Sequence, residues 1–156
     1  PGGYTAQREY DRLLLTADST AAFEPVMLPI GESVVLRPLG LRVCCKWQEN
    51  FSEIQNTLST FAVKCDTIGS TEQVLLRPRQ THDVMRTPGG RKTLKKLMID
   101  RKIPLRKRDL IPVAADEHGI LGVYGIGVNL DRAAAPGGRA LIIRIEEIEK
   151  EDSLYD

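Results

Sequence analysis

The apolar residues of this chain come in short runs. VMLPI, SVVLRPL, LRVCCKW, FAVKCDTIG, EQVLLRPR, IPVAAD, ILGVYGIGV and ALIIRIEEI follow one another, rich in Val, Ile and Leu. Turn signals separate them at Ile30-Gly31-Glu32-Ser33, Pro38-Leu39-Gly40, Gly69-Ser70 and Asp116-Glu117-His118-Gly119. Strands joined by tight turns pair antiparallel, so this spelling leaves little room for a parallel sheet. A core must then be mainly aliphatic, because 42% of the residues are hydrophobic but only 5% are aromatic. One segment breaks the pattern. Leu94, Leu97 and Met98 stand at i, i+3 and i+4, which predicts about three turns of helix from Arg91 to Lys102. The helix should stop near Ile103-Pro104, and Pro104 can open a further short turn through Arg108. The expected class is α+β: mainly antiparallel strands with one or two short helices in the C-terminal half.

A length of 156 residues fits one ordinary domain or two small ones. The polar stretch QENFSEIQNTLS, residues 48–59, reads as a connector. It suggests a β-rich region over 1–58, a second domain over 59–148 and an acidic tail over 149–156. Residues 4–15 are expected to be extended, with a helix as the alternative, followed by a loop at DSTAAFEP, where Pro25 biases Glu24 away from helix. The opening PGGYTAQREYDRLLL lacks an initiator Met and reads as part of a longer chain. No run approaches the roughly 20 apolar residues of a membrane span, and no charged-then-apolar leader opens the chain. Cys44, Cys45 and Cys65 are odd in number and form no C-x-x-C, which argues against a disulfide framework or a zinc site. Free thiols of this kind fit a reducing compartment, and the cytoplasm is the expected location.

Charge is distributed less evenly than its total suggests. The chain has 22 Lys+Arg and 21 Asp+Glu, yet Arg77 to Arg108 holds 12 of the former and 2 of the latter, Asp83 and Asp100. That segment carries +10, leaving 10 basic and 19 acidic residues elsewhere, or −9. Long basic side chains commonly do no more than solvate the outer face of a helix. Such a face usually mixes Glu with Lys at i, i+4, whereas here Asp100 alone balances the helix. The excess therefore points to a polyanion, with nucleic acid the leading class. Candidate contacts are Arg77 and Arg79 on a strand and Arg86 before the glycine pair. Arg91, Lys92, Lys95, Lys96 and Arg101 follow along the helix, then Arg106 and Arg108 beyond it. Lys92 and Lys95 are the foremost. An aromatic-poor basic face suits the backbone of an RNA stem better than unstacked bases.

Other chemistries find less support. Neither G-x-x-x-x-G-K-[ST] nor G-x-G-x-x-G occurs, so Gly89-Gly90 reads as a turn allowing close backbone approach. His82 and His118 lack a third ligand nearby, and no metal site is expected. Asp83 is read as organising a loop or pairing with Arg77 or Arg79. A Cys–His pair meeting in space is left open, without positive support. In IRIEEIEK the carboxylates alternate with apolar groups, as on the exposed face of an edge strand.

The stretch from Val74 to Val128 resembles the C-terminal domain of bacterial tRNA(Ile)-lysidine synthetases. The matching features are Arg77 and Arg79, Asp83 and Arg86, Gly89-Gly90, Lys92 and LKKL, Ile103-Pro104, Arg108-Asp109, Pro112-Val113 and Gly125-Ile126-Gly127. The resemblance is strong over 73–132 and looser before it. It implies a parent ligase that uses ATP and Mg2+ to activate the wobble cytidine of tRNA(Ile), which lysine then attacks. That chemistry belongs in the family to an N-terminal domain with an SGGxDS loop, which this sequence lacks. The resemblance thus implies a non-catalytic part that binds no cofactor itself. It would grip tRNA(Ile) beside its own N-terminal catalytic domain, away from any membrane, with a homodimer left open. Where the family usually reads Gly-Asp-Arg, this chain has His82-Asp83-Val84. The missing glycine implies an altered turn, and Arg86 is the nearest residue to replace the missing Arg. Two other classes remain in view: a protein-interaction module whose basic face meets an acidic surface, and a small enzyme using His82, Asp83 or a cysteine.

Overall fold

The short apolar runs become strands. The structure is a computed structural model and describes residues 23–49, 56–64 and 73–148. In chain order the strands are β1 (Val26–Pro29), β2 (Ser33–Leu36), β3 (Leu41–Gln48), β4 (Thr60–Lys64), β5 (Gln73–Arg77), β6 (Val84–Thr87), β7 (Gly90–Thr93), β8 (Val113–Asp116), β9 (Gly119–Val123), β10 (Gly127–Val128) and β11 (Ala140–Glu147). Helix α1 spans Leu94–Asp100 and helix α2 spans Leu105–Arg108. A 3-10 turn covers Arg37–Leu39. The extended segment expected at 4–15, Cys65, the turn at Gly69-Ser70 and the acidic tail lie outside the described residues.

Every ladder among the described residues is antiparallel. Five strands run in the order β1-β5-β8-β9-β10, four in the order β2-β3-β11-β4, and β6-β7 form a separate hairpin. With helices of only 7 and 4 residues, the fold is largely β, and the α+β label holds only roughly. Strands from both sides of residues 48–59 share sheets: β1 pairs with β5 and β3 with β11.

Two cores follow from the alternation of side chains. Leu28, Leu76, Ala114 and Leu121 of the five-stranded sheet face Val43, Phe61, Leu141 and Ile143 of the four-stranded one. On the reverse face, Val113, Ala115, Ile120 and Val123 pack against Met85, Leu94, Leu97 and Met98 of the hairpin and α1. The central strands are therefore apolar on both faces, which accounts for unbroken runs such as ILGV. Each fully buried Leu or Met of α1 contributes roughly 1.5–3 kcal/mol, so this face alone secures a helix too short to persist by itself.

Two expectations change. Arg91 to Thr93 do not begin the helix. They form β7, paired with Arg86, Met85 and Val84 of β6. The apolar phase starts only at Leu94, and Thr93 caps the helix, its Oγ1 accepting the Lys96 amide at 3.1 Å. At the other end the Lys102 amide donates to Ile99 O at 2.9 Å and the Ile103 amide to Met98 O at 3.0 Å. This is a Schellman closure, with Lys102 at φ 58°. The second change concerns β11. It lies inside its sheet between β3 and β4, not at an edge. Its carboxylates Glu146 and Glu147 are exposed and lie beyond Arg144, the last residue paired with β4. The outer side of β4 is met by the chain after β10: the Lys64 amide donates to Arg132 O at 2.9 Å and the Ala134 amide to Ala62 O at 3.0 Å.

Candidate nucleic-acid interface

The basic segment occupies the side of the five-stranded sheet that carries the hairpin and α1. Arg77 ends β5 and is 6% exposed. Its two terminal nitrogens donate to Asp83 Oδ2 and Oδ1 at 2.9 and 3.0 Å, and the first also to Pro78 O at 3.0 Å. Asp83 accepts in addition the Gln80 amide at 2.7 Å, while its carbonyl takes the Leu94 amide at 2.8 Å. The loop 77–83 is thereby closed on itself and fastened to α1. Within it His82 sits at φ 76°. His82 thus holds a left-handed backbone that glycine favours. Histidine is among the residues that enter this region more readily than most. Val84, at the other departure, is 38% exposed on β6.

Between this loop and α2 lies a cleft of about 590 Å³, whose walls include Arg79, His82, Lys95, Leu105, Arg108 and Asp109. Arg79 is anchored through Nε to Asp109 Oδ1 at 2.9 Å, and Arg108 through Nε to Ile103 O at 2.9 Å. Lys95 is exposed and has no ion-pair partner among the described residues.

A second group surrounds the hairpin. Arg86 Nε and an Arg91 terminal nitrogen share Asp131, at 2.7 Å to Oδ1 and 2.8 Å to Oδ2. Asp131 is set there by the buried Asn129, whose amide nitrogen donates to Ile120 O at 2.9 Å. The Asn129 oxygen accepts the Arg86 and Asp131 amides at 3.0 and 3.1 Å. Lys92 and Lys96 likewise share Asp100, at 3.9 and 3.2 Å. The Lys92 ammonium also covers the turn, where a Cβ on Gly89 would lie 3.5 Å from Nζ. Pro88-Gly89 form a two-residue turn closed by Thr87 and Gly90, with Gly90 at φ 108°. Arg101 reaches Ile126 O at 3.4 Å, and Arg106 is exposed on α2.

Two carboxylates thus serve four cations, so pairing organises the surface without neutralising it. Hydrogen bonds from Arg91 and then Arg86 hold the Asp131 carboxyl below its ordinary range. Of the ten candidate RNA-binding residues, Arg77 alone is buried, its charge spent on Asp83. Lys92 lies half-buried on β7, not on the helix. Sequence reasoning missed Asn129, Asp131 and Leu105, and it named Asp109 only beside Arg108, without its role in anchoring Arg79. Asn129 and Asp131 bear on the basic groups only through the tertiary fold, and nothing local marks them. Among the cysteines, burial pushes the Cys45 thiol up to about 11, which opposes nucleophilic use. No group of three or more His, Cys, Asp or Glu among the described residues could hold a metal ion. No helix among them is long and apolar enough to cross a membrane.

Residues 74–145 match the family model described as the TilS substrate C-terminal domain. The chain is 31% identical over 135 residues to a tRNA(Ile)-lysidine synthase of Geobacillus kaustophilus (strain HTA426), an alignment covering 81% of this chain and 28% of that protein. The chain therefore spans less than a third of that relative. A solved structure titled "Crystal structure of TILS C-terminal domain" superposes with a TM-score of 0.68 at 25% identity, covering 81% of this chain and all of that one.

Proposed function

Because residues 74–145 match the family model described as the TilS substrate C-terminal domain, we propose that the chain binds and positions tRNA(Ile) for a tRNA(Ile)-lysidine synthetase. On this reading it contributes no catalytic group, and ATP and Mg2+ serve the enzyme's catalytic domain. The observation that carries the reading is the incompletely neutralised basic surface of the loop, hairpin, α1 and α2, held in one arrangement by Asp83, Asp100, Asp109 and Asp131. Every cation brought against a phosphate releases condensed counterions, so such a surface favours a polyanion and makes binding salt-dependent. Few aromatic residues accompany it, and the lone tryptophan, Trp47, is engaged elsewhere with Arg139 stacked 4.1 Å above its ring. The surface therefore grips a stem through its backbone.

The test is binding of this chain to a tRNA(Ile) transcript across a salt series, with a Lys95→Ala/Arg106→Ala variant beside it. Both residues are exposed and without ion-pair partners among the described residues, so folding should be unaffected. Affinity should fall steeply with salt, and the logarithmic slope should shrink by about 1 for each phosphate that the variant no longer neutralises. An unchanged slope in the variant, or no binding at low salt, would refute the reading.

A further inference from the structure

The cleft between loop 77–83 and α2 is built differently from the rest of the basic surface. A face that only tracks a duplex backbone needs cations; this cleft also has stacking and apolar walls. His82 lines it from a left-handed backbone position, φ 76°, and a side chain kept at such a position invites a functional explanation. Leu105 lines it from α2 and is 68% exposed, the most exposed large apolar side chain among the described residues. Imidazole rings stack on unpaired bases, and leucine is among the apolar side chains that contact unstacked base steps.

The charged groups around the cleft are poised for an anion. Arg79 and Arg108 are each fixed through Nε, so their orientation is set while their terminal nitrogens have no partner among the described residues. Lys95 adds a third cation. Of the two carboxylates in the wall, Asp83 is saturated by Arg77 and Asp109 is engaged by Arg79. A volume of about 590 Å³ has room for a group of nucleotide size.

We infer that this cleft seats one unpaired nucleotide adjoining the RNA stem, its base against His82 and Leu105 and its phosphate among Arg79, Lys95 and Arg108. The inference rests on the proposed RNA-binding function and deepens it: the surface grips a backbone and also reads where the duplex ends or is interrupted.

The test compares three RNAs against this chain: a blunt duplex, the same duplex with a two-nucleotide 3′ overhang, and the same duplex with one bulged nucleotide. At least one unpaired form should bind about five-fold tighter than the blunt duplex, equivalent to about 1 kcal/mol. Whichever form is preferred says whether the nucleotide is terminal or internal. In a His82→Gly/Leu105→Ala variant the preference should vanish while blunt-duplex affinity stays unchanged. Glycine suits the left-handed turn and Leu105 is exposed, so this variant should remain folded. Equal binding of all three RNAs by the unmodified chain, or a preference surviving in the variant, would overturn the cleft assignment alone. Absence of binding to any duplex would overturn the function on which it rests.

Discussion

Arg77 and Asp83 meet through two parallel hydrogen bonds at 2.9 and 3.0 Å, with only 8% and 10% of their side chains exposed. Of the two arginines the sequence offers Asp83, the fold selects Arg77, and the pair makes the loop a fixed wall of the cleft. Removing the guanidinium would strand a carboxylate away from water, and breaking such a pair typically costs about 3–5 kcal/mol. Arg77→Ala should therefore lower stability by that order in urea unfolding, whereas Lys95→Ala should leave the midpoint nearly unchanged. Equal effects of the two would contradict the distinction drawn between a buried and an outward cation.

The bridge from Asp131 to Arg86 and Arg91 gives a pH signature. Its carboxyl is depressed by Arg91 and Arg86, so its stabilising contribution is present above the ordinary carboxylate range. That contribution disappears as pH falls through the depressed folded value. Thermal midpoints of the unmodified chain and Asp131→Asn should differ at neutral pH and converge in acid. A difference that persists in acid would mean that the side chain acts by shape, not charge.

Gly122 faces a ring where no side chain fits. A Cβ there would stand 2.6 Å from Phe61 Cδ2, a distance that forces a shift in a fully buried aromatic. Gly122→Ala should cost about 1–3 kcal/mol, the usual range for overpacking. Phe61→Leu costs stability alone by opening space, yet it should restore part of the loss when combined with Gly122→Ala. A double-mutant cycle with no coupling would show that the sheets move apart freely.

Lys102 closes α1 at φ 58°, a conformation that glycine adopts without strain. Lys102→Gly should stabilise the chain by about 1 kcal/mol and remove one positive charge from the surface. Unfolding at high salt, where charge repulsion is screened, separates the two contributions. A lower midpoint there would argue against the left-handed closure.

Local patterning settled most of the elements. Short aliphatic runs between Gly and Pro turns dictate antiparallel strands, and the Leu94, Leu97, Met98 spacing marks the buried face of α1, because backbone geometry imposes periods of 2 and 3.6 on whatever face is buried. The +10 segment is likewise legible in the sequence as a local excess of basic residues. The charges do not settle the element of Arg91 and Lys92, since surface cations carry no phase and suit strand or helix equally. Only the tertiary structure decided that these two residues join a hairpin, that β11 lies inside its sheet, and that Arg77 points inward to Asp83. It alone brought Asp131 to Arg86 and Arg91, some 40 residues away in sequence. The reason is physical: periodicity records which face of an element is buried, whereas register, sheet order and ion pairing depend on which distant groups the packed chain brings together.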